Sequence, residues 1–413
     1  MPGPLHGFRV VDLTSMISGP LATMILADQG ADVIKVENPD GGDHTRAANN
    51  RRGGFAASFL NNNRNKRSVV LDLKKPAAKD ALLRLVATAD VFVQNFRPGV
   101  ADRMGLGEDA VRAVKPDIVY VSISGFGEDG PFAAKPVYDP LVQAMSGLAT
   151  IQAGSDQERP RLVRTIIPDK MTAITASQAI TAALLARERT GQGQHVRLSM
   201  LEAVIAFLGA SDMGSQTFVG GEFPQQDAAS FIDLIYETET GYISAAVQTN
   251  KEWVALTRAL DKPEWLDDPR FKTPALRQQN INDRLRMTQD VLRTRPAAEW
   301  LQRLTDAGVP CAPVLTRTEM ISHPQVQAMG IVVETDHPAA GLIRQARSAA
   351  RFSRTPAAIR HGGAALGEHT HEVLTELGCS AADIAAIEGP NTEGQNIAEQ
   401  PTGAAHQTRE HAA

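Results

Sequence analysis

Between Phe8 and Ser124, short β-branched runs alternate with stretches of helical period. FRVVDLT, ADVIKVE, RSVVLDL, DVFVQNF and DIVYVSIS are separated by segments such as PLATMILADQG and PAAKDALLRLVATA. Strands that recur with helices between them pair in parallel, because a helical crossover brings the chain back to start each strand from the same end. The pattern predicts an α/β fold with a doubly wound, Rossmann-like parallel sheet. In GPLATMILADQGA, Pro20 stands near the first turn of a helix, Leu21, Met24 and Ile25 read as its apolar face, and Gly30 stops it.

A longer helix is predicted from Asp169 to about Arg189, stopped by Gly191 and Gly193 ahead of the strand HVRLSM, with another helix from about Leu201. After FVGGEFPQQDAAS the pattern changes. GYISAAV reads as a strand, and KEWVALTRAL, NDRLRMTQDVLR and AAEWLQRLTDAG read as amphipathic helices, marking a smaller α+β domain at residues 223–314. Residues 1–222 together with 315–390 form the expected large domain, which closes with two short helices meeting at Gly378. Residues 391–413 are polar and aperiodic and read as a disordered tail.

Composition narrows the class. A chain of 413 residues, 43% apolar and 22% charged, can bury two cores. A formal net charge of -5 with 5% aromatic residues points away from nucleic acid. Apolar runs such as AITAAL and AVIAFLGA fall short of the ~20 residues a membrane span needs, and cytoplasmic residence is expected. Cys311 and Cys379 stand in unrelated contexts, so both are expected reduced. The basic cluster NNNRNKRS at residues 61–68 leaves a small anionic ligand open.

Several chemical motifs fail on context. GFGEDG at residues 125–130 fits G-x-G-x-x-G after a strand, yet Glu128 and Asp129 would repel phosphate and PFAAKP does not open a helix. It reads instead as a loop at a strand's C-terminal end. The ten histidines contain no H-E-x-x-H, and His369 and His371 beside Glu368 and Glu372 read as a surface helix, so no metal is expected. No G-x-S-x-G elbow or P-loop lysine occurs. What remains is Ser18-Gly19-Pro20, Asn95-Phe96-Arg97, the NNNRNK loop and Asp169. Each has an ordinary reading as turn or cap chemistry, and an aspartate opening a helix is commonly its N-cap.

In order along the chain, VVDLTSMISGPLATMILADQGADVIKVE, NRNKRSVVLDLK, ADVFVQNFRPGVADRMGLG, YDPLVQAMSGL, RTGQGQHVRLSMLEA, AGVPCAPV and LGEHTHEVLTELG resemble the family III CoA-transferases. That group includes formyl-CoA transferase, carnitine CoA-transferase and α-methylacyl-CoA racemase. The resemblance implies a large CoA-binding α/β domain, a smaller domain, and ring-shaped subunits interlocked as a homodimer. It implies acyl-CoA and a carboxylic acid as substrates with no tightly bound cofactor, and CoA transfer through acyl-aspartyl anhydride and aspartyl-CoA thioester intermediates. The family's catalytic aspartate falls on Asp169. Its CoA-contacting positions fall on Ile17, Ser18, Leu71, Lys74, Asn95, Phe96, Arg97, Arg103, Tyr138 and Asp139, while Asn38 replaces an arginine of formyl-CoA transferase.

The racemase branch carries a histidine before the aspartate that precedes LVQAMSGL, where this chain has Tyr138-Asp139. Tyrosine, with a pKa near ~10, is a poor base at neutral pH, so transfer is favoured over racemisation. Retention of Asp169 with its motifs disfavours a catalytically silent CoA-binding paralogue. QQDAAS stands where the oxalate-using enzyme has a run of glycines, which disfavours oxalate. Tyr236, Tyr242, Trp253 and Met200 are read as either pocket lining or core.

Overall fold

The computed structural model describes residues 2–220 and 234–388. QQDAAS, the expected boundary at 222/223 and the tail at 391–413 lie outside the described residues. The chain divides into two compact units, Met1–Val142 with Ile166–Ala203 and Val333–Ala413, and Gln143–Thr165 with Val204–Val332.

The first unit is built on six strands: β1 (Arg9–Asp12), β2 (Asp32–Glu37), β3 (Lys66–Val70), β4 (Val91–Gln94), β5 (Val119–Ser124) and β6 (His195–Ser199). All pair in parallel, in the order β3-β2-β1-β4-β5-β6. The chain winds outward one way from β1 and then the other way from β4. Ligands of such sheets bind beyond the strands' carboxyl ends where this reversal occurs. The strands read as continuous apolar runs because both faces are covered. Val10, Val33, Val91, Val119 and Val121 belong to one core layer, and Val11, Ile34, Phe92 and Tyr120 to the other.

Four helices matter for the site: α1 (Ser18–Asp28), α2 (Pro76–Ala87), α3 (Asp139–Met145) and α4 (Ile167–Thr190). On α1 the expected apolar face is displaced in part, with Met24 buried as expected. Ala22, Leu26 and Ala27 are wholly buried, whereas Leu21 and Ile25 are only partly so. The helix is covered by the sheet and by α4 together, and Ala22, Ala27, Ala173 and Ala176 share that core layer, their small side chains letting the helices approach closely. On the opposite face, Thr370–Glu376 and Ala381–Glu388 supply Val373, Leu374, Ile384 and Ile387 to the core beside α2.

The second unit holds three antiparallel strands, Ile235–Thr238, Gly241–Ala245 and Cys311–Pro313. Its core gathers Tyr236, Trp253, Trp265, Phe271 and Trp300. The helix Asn250–Ala259 starts at a capping box between Thr249 and Glu252. Tyr236 and Trp253 are therefore core residues, Met200 is buried, and Tyr242 is exposed. Both cysteines are free. The paired strands Val332–His337 and Gly341–Ala346 had no expectation in the sequence pattern.

Candidate active site

Arg64 and Lys66, where the basic segment enters β3, face inward. Lys66 Nζ lies 3.0 Å from Asp12 Oδ2 and donates to Pro20 O at 2.8 Å and Asn63 Oδ1 at 2.8 Å. Arg64 forks onto Asp28, which also accepts from Asn65 Nδ2 at 2.8 Å. Asp28 and Asp12, distant in sequence, thus neutralise Arg64 and Lys66 within the fold.

Asp169 is not a cap. The N-cap of α4 is Ile166, Pro168 occupies the first turn, and Asp169 is the third helical residue. Its N–H is one of the donors that a helix start leaves without an intrahelical partner, and it reaches Asp139 Oδ2 at 3.3 Å. Asp139 opens α3 and is 4% exposed. Burial first, and then the negative charge of Asp139, push the Asp169 carboxyl up to about 6 from an ordinary 3.8. The Ser18 amide and hydroxyl work the other way and favour the ionised form. Ser18 is the first residue of α1 after its N-cap Ile17, so the carboxyl lies near the positive ends of two helix dipoles.

A cavity of about 530 Å³ opens beyond the carboxyl ends of β1 to β4. Leu71, Lys74 and Phe96 line it, together with Ser15 and Asn38. Asn95 Oδ1 accepts from the Ser15 N–H at 3.0 Å, and its Nδ2 donates to Ser15 O at 2.9 Å. That double clasp joins the loops after β1 and β4 where the strand order reverses. The segment 15–18 thus runs from the cavity wall to the residue beside Asp169. Gly19 is required just after it, since a Cβ there would lie 2.3 Å from the Thr14 side chain.

Arg97 and Arg103 are exposed and stand outside the cavity lining, and Tyr138 is 67% exposed next to buried Asp139. The geometry therefore groups Ser18 and Asp139 around the Asp169 carboxylate, with Ile17 as the N-cap just before Ser18, and Leu71, Lys74 and Phe96 around the cavity, with Asn95 between. Sequence reasoning missed Ser15, whose only signal is its place just past β1. Among the described residues no group of His, Cys, Asp and Glu could hold a metal ion, and no helix is long and apolar enough to cross a membrane.

Comparison with known proteins places this geometry among relatives. The model of CoA-transferase family III matches residues 5–370. The chain is 33% identical over 385 residues to succinyl-CoA:glutarate CoA-transferase of Mus musculus, covering 91% of this chain and 86% of that one. It is 33% identical over 413 residues to formyl-CoA:oxalate CoA-transferase of Escherichia coli, covering 94% and 99%. A crystal structure of a CaiB/BaiF family protein from Brucella suis superposes with a TM-score of 0.79 at 30% identity, covering 91% of this chain and 100% of that one.

Proposed function

The chain belongs to CoA-transferase family III, and from that premise we propose that Asp169 is the nucleophile of a CoA transfer between an acyl-CoA and a carboxylic acid. The observation that carries this reading is the position of its carboxyl, close to the Ser18 end of the segment that also walls the cavity. With the carboxyl near 6, the group is mostly ionised at neutral pH and needs no base to attack.

In this reading Leu71, Lys74 and Phe96 hold the CoA nucleotide and Asn95 fixes the loop that carries Ser15. The Asp169 carboxylate adds to the thioester carbonyl and CoA thiolate leaves, forming an acyl-aspartyl anhydride. The thiolate then attacks the aspartyl carbonyl, releasing the donor acid as its carboxylate and leaving an aspartyl-CoA thioester. The acceptor carboxylate attacks that thioester, regenerating an anhydride and the thiolate. Attack of the thiolate on the acceptor's acyl carbon yields the new acyl-CoA and frees Asp169. One thioester is exchanged for another without net proton uptake. Amide donors aimed at the developing oxyanion lower such barriers by ~3 kcal/mol each, and the Ser18 amide is well placed for the aspartyl carbonyl.

Short dicarboxylates are the first acids to test, because the mouse relative is named for succinyl-CoA and glutarate. The interlocked homodimer rests on the family resemblance and on exposed apolar side chains of α4, Ile174 and Leu185, which a partner would cover. A panel of succinyl-, glutaryl-, acetyl- and formyl-CoA against dicarboxylates tests the activity. At least one pair is expected to exchange, and Asp169→Ala is expected to lower its rate ~10⁴-fold. A full rate in Asp169→Ala would overturn the nucleophile assignment.

A further inference from the structure

Period-two alternation places Phe92, Gln94, Tyr120, Ser122 and His195 on one face of the sheet, since Phe92 pairs with Tyr120, Gln94 with Ser122, and Tyr120 with His195. The aromatic row packs tightly. Phe92 stacks on Tyr120 at 5.3 Å, and Tyr120 meets His195 edge-on at 4.8 Å. The polar residues beside it form a chain. The Phe96 N–H donates to Gln94 Oε1 at 2.8 Å, and Gln94 Nε2 donates to Ser122 Oγ at 3.3 Å. Ser122 Oγ lies 2.6 Å from His195 Nε2, and His195 Nδ1 lies 2.6 Å from Glu108 Oε2.

With a neutral imidazole, one arrangement of protons satisfies every link. A carboxylate can only accept, so His195 Nδ1 carries the proton and Nε2 accepts from the Ser122 hydroxyl. Ser122 then accepts from the Gln94 amide nitrogen, which leaves Gln94 Oε1 facing the Phe96 N–H. Turning the Gln94 amide over would set two donors against each other. Glu108 is anchored in turn, accepting from Arg112 Nε at 2.8 Å. Partial burial works against its charge, yet Arg112 and His195 hold its carboxyl below the usual range. Gln94 and Ser122 are each 6% exposed, so water does not readily replace a lost link.

We propose that the chain Phe96–Gln94–Ser122–His195–Glu108 is a brace that sets the backbone of the cavity wall, making His195 a positioning residue for CoA. The proposal rests on the reading of the cavity as the CoA site. His195 is absent from the cavity lining, and it acts through Gln94 on Phe96, whose side chain lines the wall. The double clasp of Asn95 on Ser15 is separate, so breaking the brace loosens the nucleotide side more than the Asp169 side.

The test uses the full-length protein. His195→Ala is expected to raise the KM for the acyl-CoA and the Kd for free CoA about tenfold, the size of one buried hydrogen bond left unmade, with kcat changed less than twofold. His195→Gln, whose amide oxygen can reach the place of Nε2, is expected to recover most of that loss. Ser122→Ala should accelerate amide hydrogen exchange in peptides spanning Phe96 but not in those spanning β1, which keeps the idea testable if the histidine variants fold poorly. CoA binding unchanged in His195→Ala, no recovery in His195→Gln, or unchanged exchange near Phe96 in Ser122→Ala would each overturn the brace. Wild-type protein that binds no CoA would instead contradict the reading of the cavity.

Discussion

Asp12 and Asp169 are two carboxylates in the same unit with opposite surroundings. Asp12, at the end of β1, has Lys66 Nζ at 3.0 Å, the Thr23 hydroxyl at 2.7 Å and the Thr14 N–H at 2.9 Å. Burial alone would raise its carboxyl, but the charges of Lys66 and Lys35 outweigh burial and hold it well below the usual range. Burial of Asp169 meets no cation among the described residues; its charged neighbour is Asp139, and only Ser18 offsets the cost. A matched buried charge holds the fold together, while a mismatched one stores free energy that chemistry can use. Under the proposed function the same residue type does structural work in one place and reactive work in the other.

Removing either carboxylate separates the two roles. Asp12→Ala leaves Lys66 buried without its partner and is expected to cost about 3–5 kcal/mol of stability, read as a lower urea midpoint. Any activity loss should follow the unfolded fraction. Asp169→Asn should do the reverse. The folded protein keeps the Asp169 proton up to about pH 6, whereas an ordinary aspartate loses it near 3.8. Between those values the folded state binds more protons than the unfolded state, so stability falls as pH rises through the interval. The ionised group is therefore a liability above pH 6, and Asp169→Asn should be more stable there by at most about 3 kcal/mol, at ~1.4 kcal/mol per pKa unit. The gain should vanish below about pH 4 in paired thermal melts. A smaller effect is expected from Asp139→Asn, which removes the like charge. The acid limb of kcat/KM, midpoint near 6 in the wild type, should shift to lower pH.

The sheet was legible because β-branched runs and helix stops recur in regular order, and each of the six strands falls on an expected segment, β3 beginning one residue ahead of its own. The apolar face of α1 was not, because a helix covered on two sides loses the one-sided periodicity that marks an amphipathic helix. The inward role of Lys66 and Arg64 was hidden as well. Their partners Asp12 and Asp28 lie far back in the chain and meet them only through β2 and β1. Asp169 stands out in the sequence only through the order of motifs around it, since locally it looks like a cap; the fold removes the cap reading by placing the cap at Ile166. The brace behind Phe96 draws residues from β4, β5, β6 and the helix Glu108–Val114, so no local pattern announces it.

The central claim is a covalent bond to one carboxylate. Wild-type protein is incubated with succinyl-CoA or another active donor, quenched with hydroxylamine, digested and weighed. The account predicts a hydroxamate on the peptide containing Asp169, formed only when acyl-CoA is present and absent in Asp169→Asn. An unmodified Asp169 peptide under conditions where CoA transfer proceeds would contradict it.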